Sequence, residues 1–166
     1  MIVDYIINTL KDIPKEGIVV VLGALPVSEL RGAIPAAIAF GFSPLKAYVL
    51  GYLGNMIPVI PILFLFEPLS EKLRHIGIFK KFFDWLTDRT KRKAALVEKF
   101  EFLGLILFVA IPLPITGAWT GCVAATLFKL RFRYALVAIM IGVALAGIIV
   151  LSLSMGGKFL ISNYVG

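Results

Sequence analysis

Hydrophobic residues run through long stretches of this chain with no charge among them. Residues 47–66, 102–128 and 134–157 contain no Asp, Glu, Lys or Arg. A helix of about 20 apolar residues crosses the hydrocarbon core of a bilayer, so residues 47–66 and 134–157 are each predicted to be a transmembrane helix. The pattern indicates an all-α integral membrane protein that forms a single membrane domain over residues 1–166.

Two apolar segments, residues 17–42 and 102–128, are interrupted by prolines and glycines. Proline lacks the backbone N–H that a helix needs and clashes with the preceding turn, so each segment is predicted to form two arms. An arm of about ten residues is roughly 15 Å long, which is half of the roughly 30 Å hydrocarbon core. We therefore expect two re-entrant helical hairpins, with a kinked full span as the alternative. The predicted breakers are Pro26, Gly32, Pro35, Pro112, Pro114, Gly117 and Gly121.

The two halves of the chain resemble each other in sequence. A shift of 88 residues aligns residues 17–60 with residues 105–148, and 11 of the 44 paired positions are identical. A matched proline and a matched glycine, 28 residues apart in each half, are among them. Internal repeats of this kind are common in secondary transporters.

Each repeat is predicted to be a hairpin followed by a span. Repeat 1 covers residues 14–66 and repeat 2 covers residues 102–157. Because one span separates the two hairpins, they enter the membrane from opposite faces and the repeat is inverted. Unwound backbone at membrane depth is tolerated only where it is buried in protein or lines a watery cavity. We therefore expect the two hairpin tips to meet near the midplane.

The link between the repeats, residues 67–101, is predicted to be an amphipathic helix at the membrane surface. Its apolar side chains recur at three- and four-residue steps, and basic side chains lie between them, as in helices that bind anionic lipid. In the hairpin model this link and residues 129–133 share one side and hold 12 of the 17 Lys and Arg residues. Cytoplasmic loops collect such residues, which predicts a multi-pass protein of the cell membrane with a cytoplasmic link. Residues 1–13 are predicted to be a second, shorter surface segment.

Composition excludes several classes of function. The chain is 60% apolar and only 16% charged, whereas about a quarter of a soluble domain is charged. The net charge of +7 comes from residues that flank membrane segments, so no nucleic-acid partner is expected. With one cysteine, Cys122, and one histidine, His75, neither an internal disulfide nor a metal centre is expected, and no cofactor is implied. No acid, base and nucleophile are grouped as an enzyme would need.

Glu29 and Arg31 are the ionisable residues inside the first apolar hairpin. A charged residue at the membrane centre costs about 2.5–3.5 kcal/mol on insertion scales, so such groups are usually paired or face a cavity. Glu29 is a candidate proton or cation site, and Arg31 a candidate binder of an anionic group. The structural alternative is a clamp that closes the broken helix.

Other polar side chains complete the predicted site. In the second hairpin, hydroxyls and the free amides of a half-helix suit an anionic group, although they equally suit backbone groups freed by proline. Basic residues after that hairpin are either snorkelling anchors or a head-group vestibule. The further substrate- or proton-binding candidates are Ser28, Asn55, Thr116, Trp119 and Thr120, and the vestibule candidates are Lys129, Arg131 and Arg133.

Two motifs carry a family resemblance. Residues 29–35 read Glu-Leu-Arg-Gly-Ala-Ile-Pro, and residues 112–121 read Pro-Leu-Pro-Ile-Thr-Gly-Ala-Trp-Thr-Gly. With them the chain resembles the small multidrug export protein family of bacteria and archaea over essentially its whole length. The plan of two hairpins, each followed by a span, also resembles the DedA superfamily, which is associated with moving polyprenyl phosphates or phospholipids. The second hairpin lacks the arginines found there in DedA proteins.

These features predict a transporter or flippase with a site at the membrane midplane between two opposed hairpins. The resemblance to DedA proteins implies an amphiphile with an anionic head, such as a polyprenyl phosphate lipid carrier, moved in a proton-linked manner. The alternative is a proton-coupled exporter of cationic drugs, and a non-transporting membrane scaffold is the third possibility. Stripes of small residues at four-residue steps are interpreted as close-packing surfaces, which would also suit a homodimer.

Overall fold

The computed structural model describes residues 14–65, 94–112, 117–128 and 130–164. These residues form helices joined by short turns, and no strand occurs among them. The predicted surface segment at residues 1–13 and residues 67–93 of the predicted link lie outside the described residues, as do Phe66 at the end of the first predicted span, Pro114, Thr116 and Lys129. The helices are α1 (Lys15–Ala24), α2 (Glu29–Ala39), α3 (Pro44–Met56), α4 (Ala94–Ala110), α5 (Ala118–Leu127) and α6 (Phe132–Tyr164).

Two helical runs are long and apolar enough to cross a membrane, Pro44–Leu65 and Phe132–Gly157. These runs coincide with the two predicted spans and are candidate membrane-spanning helices. The sequence predicts one continuous helix for the first span, but a turn at residues 57 and 58 separates α3 from the helical residues 59–65. Pro58 has no N–H to donate to the carbonyl of Gly54, which removes one helical hydrogen bond at this point.

Helix bounds recur at the spacing of the sequence repeat. The helices α3 and α6 begin 88 residues apart, at Pro44 and Phe132, and α2 and α5 end 88 residues apart, at Ala39 and Leu127. One departure is α4, which begins at Ala94, so the predicted boundary between link and second hairpin at residues 101 and 102 falls inside a helix.

The chain divides into two compact units. The first unit comprises Met1–Met56 with Gly147–Gly166, and the second comprises Ile57–Ala146. In the first unit α1, α2 and α3 pack against one another in all three pairs. In the second unit α4 packs against α5.

Glycines set the spacing of the helices in the first unit. A Cβ at Gly54 would lie 2.4 Å from the carbonyl oxygen of Val20, and a Cβ at Gly23 would lie 3.0 Å from that of Gly51. Since both neighbours are backbone atoms, α1 and α3 are in direct main-chain contact. Small and β-branched side chains fill the remaining core, namely Val19, Ala33, Ala37, Ile38 and Ala47.

The second unit uses small residues in the same way. A Cβ at Gly121 of α5 would lie 2.5 Å from Val109 Cγ2, and one at Gly142 of α6 would lie 2.7 Å from Val109 Cβ. Ala138 and Ala146, which flank Gly142 at four-residue steps, are buried. The small-residue stripe of α6 is therefore a packing surface, as the sequence predicts. Gly54 and Gly142, which are matched positions of the repeat, both lie against the helix that opens their own half.

The break in the first hairpin is shorter than predicted. It spans residues 25–28 and contains Pro26, whereas Gly32 and Pro35 lie inside α2. Predicting them as breakers was wrong, as was the same prediction for Gly121, which lies inside α5. Pro35 removes only the hydrogen bond to the Arg31 carbonyl, and the close packing of α2 on α1 and α3 compensates for it. In the second hairpin Pro112 and Gly117 do lie outside the helices, as predicted.

Candidate functional site at the closed end of the first hairpin

The turn between α1 and α2 is stabilised by hydrogen bonds to carbonyls that α1 leaves free at its end. The Ser28 hydroxyl donates to the carbonyl of Leu22, and the Glu29 N–H donates to that of Leu25 at 3.0 Å. A Cβ at Gly32 would lie 2.7 Å from Ser28 Cβ, so a glycine at position 32 makes room for the Ser28 side chain. Ser28 is therefore occupied in closing the turn.

Glu29 opens α2 in an unusual backbone conformation. Its φ is 46°, and no other non-glycine residue in the described part of the chain has a positive φ. A left-handed conformation costs an ordinary residue roughly 1 kcal/mol or more and is often found at functional sites. The sequence carries no signal for it, since glutamate rarely adopts this conformation.

Glu29 and Arg31 form an ion pair despite being two residues apart. Arg31 Nη2 lies 3.5 Å from Glu29 Oε2, and the side chains are 28% and 8% exposed respectively. Side chains at this spacing do not face each other on a regular helix. The pair forms because the left-handed backbone of Glu29 departs from regular helical geometry. The pair is longer than the roughly 2.7–2.9 Å of a close charge-assisted hydrogen bond, so it is a loose contact.

The packing register of α3 on α2 indicates that Asn55 lies level with Glu29 in the first unit. On α3, Ala47 packs with Ala33 and Ala37, and a Cβ at Gly51 would meet Leu30 and Ile34. The helices α3 and α2 are therefore antiparallel, and each successive turn of α3 contacts a turn nearer to the beginning of α2. The next turn brings Asn55 level with the first turn of α2, which holds Glu29, and Gly23 near the end of α1 touches the Asn55 backbone.

The Asn55 side chain is buried to 1% exposure. Its Oδ1 atom accepts no hydrogen bond from the described residues. A buried acceptor without a donor costs about 1–3 kcal/mol, so native proteins seldom retain one without a reason. Two buried polar side chains, Glu29 and Asn55, thus lie at the closed end of the hairpin.

The open end of the same unit carries charges and aromatic rings. Lys46 Nζ donates a hydrogen bond of 2.6 Å to Glu16 Oε1 and lies 4.3 Å from the centre of the Phe42 ring. Lys15 lies over Phe40 at 5.9 Å. The hydrogen bond from Lys46 lowers the pKa of the Glu16 carboxyl below its usual value. Sequence reasoning missed this pairing because its partners are far apart in the chain and follow no periodic pattern.

In the second hairpin, a candidate binding side chain is engaged with the backbone. The Thr120 hydroxyl donates to the carbonyl of Gly117 at 3.3 Å, which favours backbone satisfaction over substrate binding for this residue. Trp119 is half-buried, whereas Arg131 and Arg133 are exposed. The described residues contain no group of three or more His, Cys, Asp or Glu side chains that could hold a metal ion.

Comparison with known protein families identifies the family of this chain. The sequence profile of the family described as "Putative small multi-drug export protein" matches residues 29–149 of the chain. The chain belongs to this family. No curated protein and no solved structure matches it.

The match begins at Glu29. It therefore includes the Glu29–Arg31 pair, Asn55 and most of both predicted spans, and it leaves out α1. The description of the family indicates an export protein, in agreement with two helices long and apolar enough to cross a membrane.

Proposed function

We propose that this small multi-drug export protein is a proton-linked exporter of small organic cations and that Glu29 is its exchange site. The observation that carries the proposal is a buried glutamate, with a side chain that is 8% exposed, in a left-handed backbone conformation within a largely apolar hairpin. Carboxylates at membrane depth usually serve ion or proton pathways. A carboxylate can hold either a proton or a cation, which is the property that exchange requires.

Arg31 acts in this proposal as the occupant of Glu29 between transport cycles. Its guanidinium neutralises the carboxylate, and its contact of 3.5 Å is long for an ion pair. Because Arg31 is the more exposed partner, it has room to move aside when a proton or a substrate cation arrives. The charge of the site therefore stays balanced in each state.

The lengths of the helices support a site near the membrane midplane. The helices α1 and α2 have 10 and 11 residues, which is roughly 15 Å and half of the hydrocarbon core. Asn55 is near the middle of the 22-residue run Pro44–Leu65. The Lys and Phe side chains at the open end of the unit suit a membrane–water interface. We therefore propose a re-entrant first hairpin and, from the sequence repeat, an inverted second one.

The topology has its own test. Single cysteines introduced near Phe42 and near Lys129 should react with a membrane-impermeant maleimide from opposite faces of oriented vesicles. Labelling of both from one face would overturn the inverted repeat and leave the transport proposal standing.

Transport is tested in proteoliposomes with an imposed pH gradient and radiolabelled benzylguanidinium, which stays charged at neutral pH. The wild type should move the cation across the membrane in the direction opposite to the flow of protons. Glu29→Gln, which keeps the shape of the side chain, should abolish this movement, whereas Glu16→Gln, a matched change at an exposed carboxylate, should not. Equal transport by wild type and Glu29→Gln would remove Glu29 from the mechanism.

A second candidate substrate is an amphiphile with an anionic head, such as a polyprenyl phosphate. It is favoured by Arg31, whose side chain is 28% exposed and whose guanidinium suits bidentate phosphate binding, and by the resemblance to DedA proteins. In this case a fluorescent polyprenyl phosphate should cross the bilayer in a manner that Arg31→Ala abolishes. Transport of neither substrate class by the folded wild type would favour the scaffold.

A further inference from the structure

We infer that the exported cation must carry an N–H group and that Asn55 selects it: the carboxylate of Glu29 takes the charge, and the Oδ1 atom of Asn55 accepts a hydrogen bond from the same ligand. The inference rests on the proposed function, since it concerns the substrate of the same site. It predicts guanidinium and protonated-amine substrates, and it predicts that quaternary ammonium ions are disfavoured.

The Asn55 carbonyl is the acceptor that needs an explanation. It is 1% exposed, and it accepts no hydrogen bond within the described part of the chain. The nearest structural role would be to cap the backbone at the turn of residues 57 and 58. Pro58 has no N–H, and the amides of residues 57 and 59, which are described, do not donate to Oδ1. The turn therefore does not account for a buried amide at position 55.

The position of Asn55 relates it to Glu29. The packing of α3 on α2 places both residues at the closed end of the hairpin, within about one helical turn along the bundle. Each side chain ends in oxygen acceptors, and both are buried. A ligand that brings positive charge and N–H donors meets the charge of Glu29 and provides the hydrogen bond that Asn55 Oδ1 lacks, whereas a proton on Glu29 provides nothing for Asn55.

A quaternary ammonium ion brings charge without a donor. It would leave Asn55 Oδ1 buried and unsatisfied, and sites built around hydrogen bonds discriminate strongly against ligands that lack the matching group. The expected preference for an N–H cation over a quaternary analogue of similar size is roughly 10- to 100-fold.

The experiment compares benzylguanidinium with benzyltrimethylammonium in the proteoliposome assay. Both are permanently charged at neutral pH, so neither leaks across the bilayer in a neutral form. The wild type should transport benzylguanidinium at least about tenfold more efficiently. Asn55→Leu, which keeps the size of the side chain and removes the acceptor, should lose this preference while retaining thermal stability equal to or above that of the wild type.

Each of the other outcomes is decisive. Equal transport of both cations by the wild type, with dependence on Glu29, would overturn the role of Asn55 and leave the proposed function intact. A preference that survives in Asn55→Leu, or a lower unfolding temperature for this variant, would likewise overturn it, because Asn55 would then be structural. Transport of neither cation would contradict the proposed function itself. Gly156→Ala is the control for reconstitution, because outside its own helical backbone no atom of the described residues lies within 4 Å of an added Cβ.

Discussion

Substitution of Gly54 by alanine tests the closest contact in the first unit. The added Cβ would lie 2.4 Å from the carbonyl oxygen of Val20 and 3.0 Å from its Cα. Neither atom belongs to a flexible side chain, so α1 and α3 must separate. Contacts of this kind stay above about 3.0 Å in real structures, which requires a displacement of at least about 0.6 Å, enough to forfeit a quarter or more of the dispersion energy of the affected atom pairs.

The cost follows from two opposing effects. Overpacking of a close interface costs about 1–3 kcal/mol, and the contact with backbone puts Gly54 at the upper end. Alanine gains about 1 kcal/mol over glycine from helix propensity. We therefore expect Gly54→Ala to destabilise the protein by about 2 kcal/mol. Gly156→Ala, whose added Cβ meets no neighbouring atom among the described residues, should stabilise it by up to about 1 kcal/mol.

The comparison of the two alanine variants removes the propensity effect. A difference of about 3 kcal/mol corresponds to about 6–12 °C in unfolding temperature for a chain of 166 residues. Thermal unfolding of the purified proteins in detergent, followed by tryptophan fluorescence, measures it. If the two variants unfolded within about 2 °C of each other, α1 and α3 would not be in main-chain contact and the packing of the first unit would be wrong.

Three further outcomes are expected. Gly142→Ala, at the matched position of the repeat, should also destabilise by about 2 kcal/mol, since its Cβ would lie 2.7 Å from Val109 Cβ; a neutral thermal scan would refute the equivalence. Lys46→Gln should raise the pKa of Glu16 in an NMR titration, because the hydrogen bond that lowers it is lost. In the wild type the Glu16–Lys46 pair stabilises the folded protein fully at pH values above the unfolded-state pKa of the carboxyl. This stabilisation is lost as the pH falls through the lowered folded-state pKa. The unfolding temperature of Lys46→Gln should therefore depend less on pH in the acidic range than that of the wild type. Cys122, which is fully buried, should resist maleimide until the protein is denatured, and rapid labelling of the native protein would contradict its placement.

The sequence was sufficient to predict the features that depend on composition and spacing. Long uncharged runs predicted both spans because a helix must be apolar over its whole length to cross a bilayer. The repeat predicted that Gly54 and Gly142 are equivalent, and both occur at close helix contacts. Pro26 predicted the position of the first break correctly.

Features that depend on tertiary packing could not be predicted in the same way. Pro35 looks like a helix breaker, but the loss of one hydrogen bond is outweighed by the packing of the rest of α2. The left-handed backbone of Glu29 has no sequence signature. The register that makes Asn55 level with Glu29 arises from contacts of α3 with α2, and apolar composition alone does not set such a register.

Binding of benzylguanidinium to the purified protein, measured by isothermal titration calorimetry over a series of pH values, tests the central claim most directly. Wild type and Glu16→Gln should bind with equal affinity, and the affinity should fall as the pH is lowered because protons compete for Glu29. Glu29→Gln should bind at least about tenfold more weakly, since a neutral amide provides no charge for the cation. Equal binding by wild type and a folded Glu29→Gln would contradict the account.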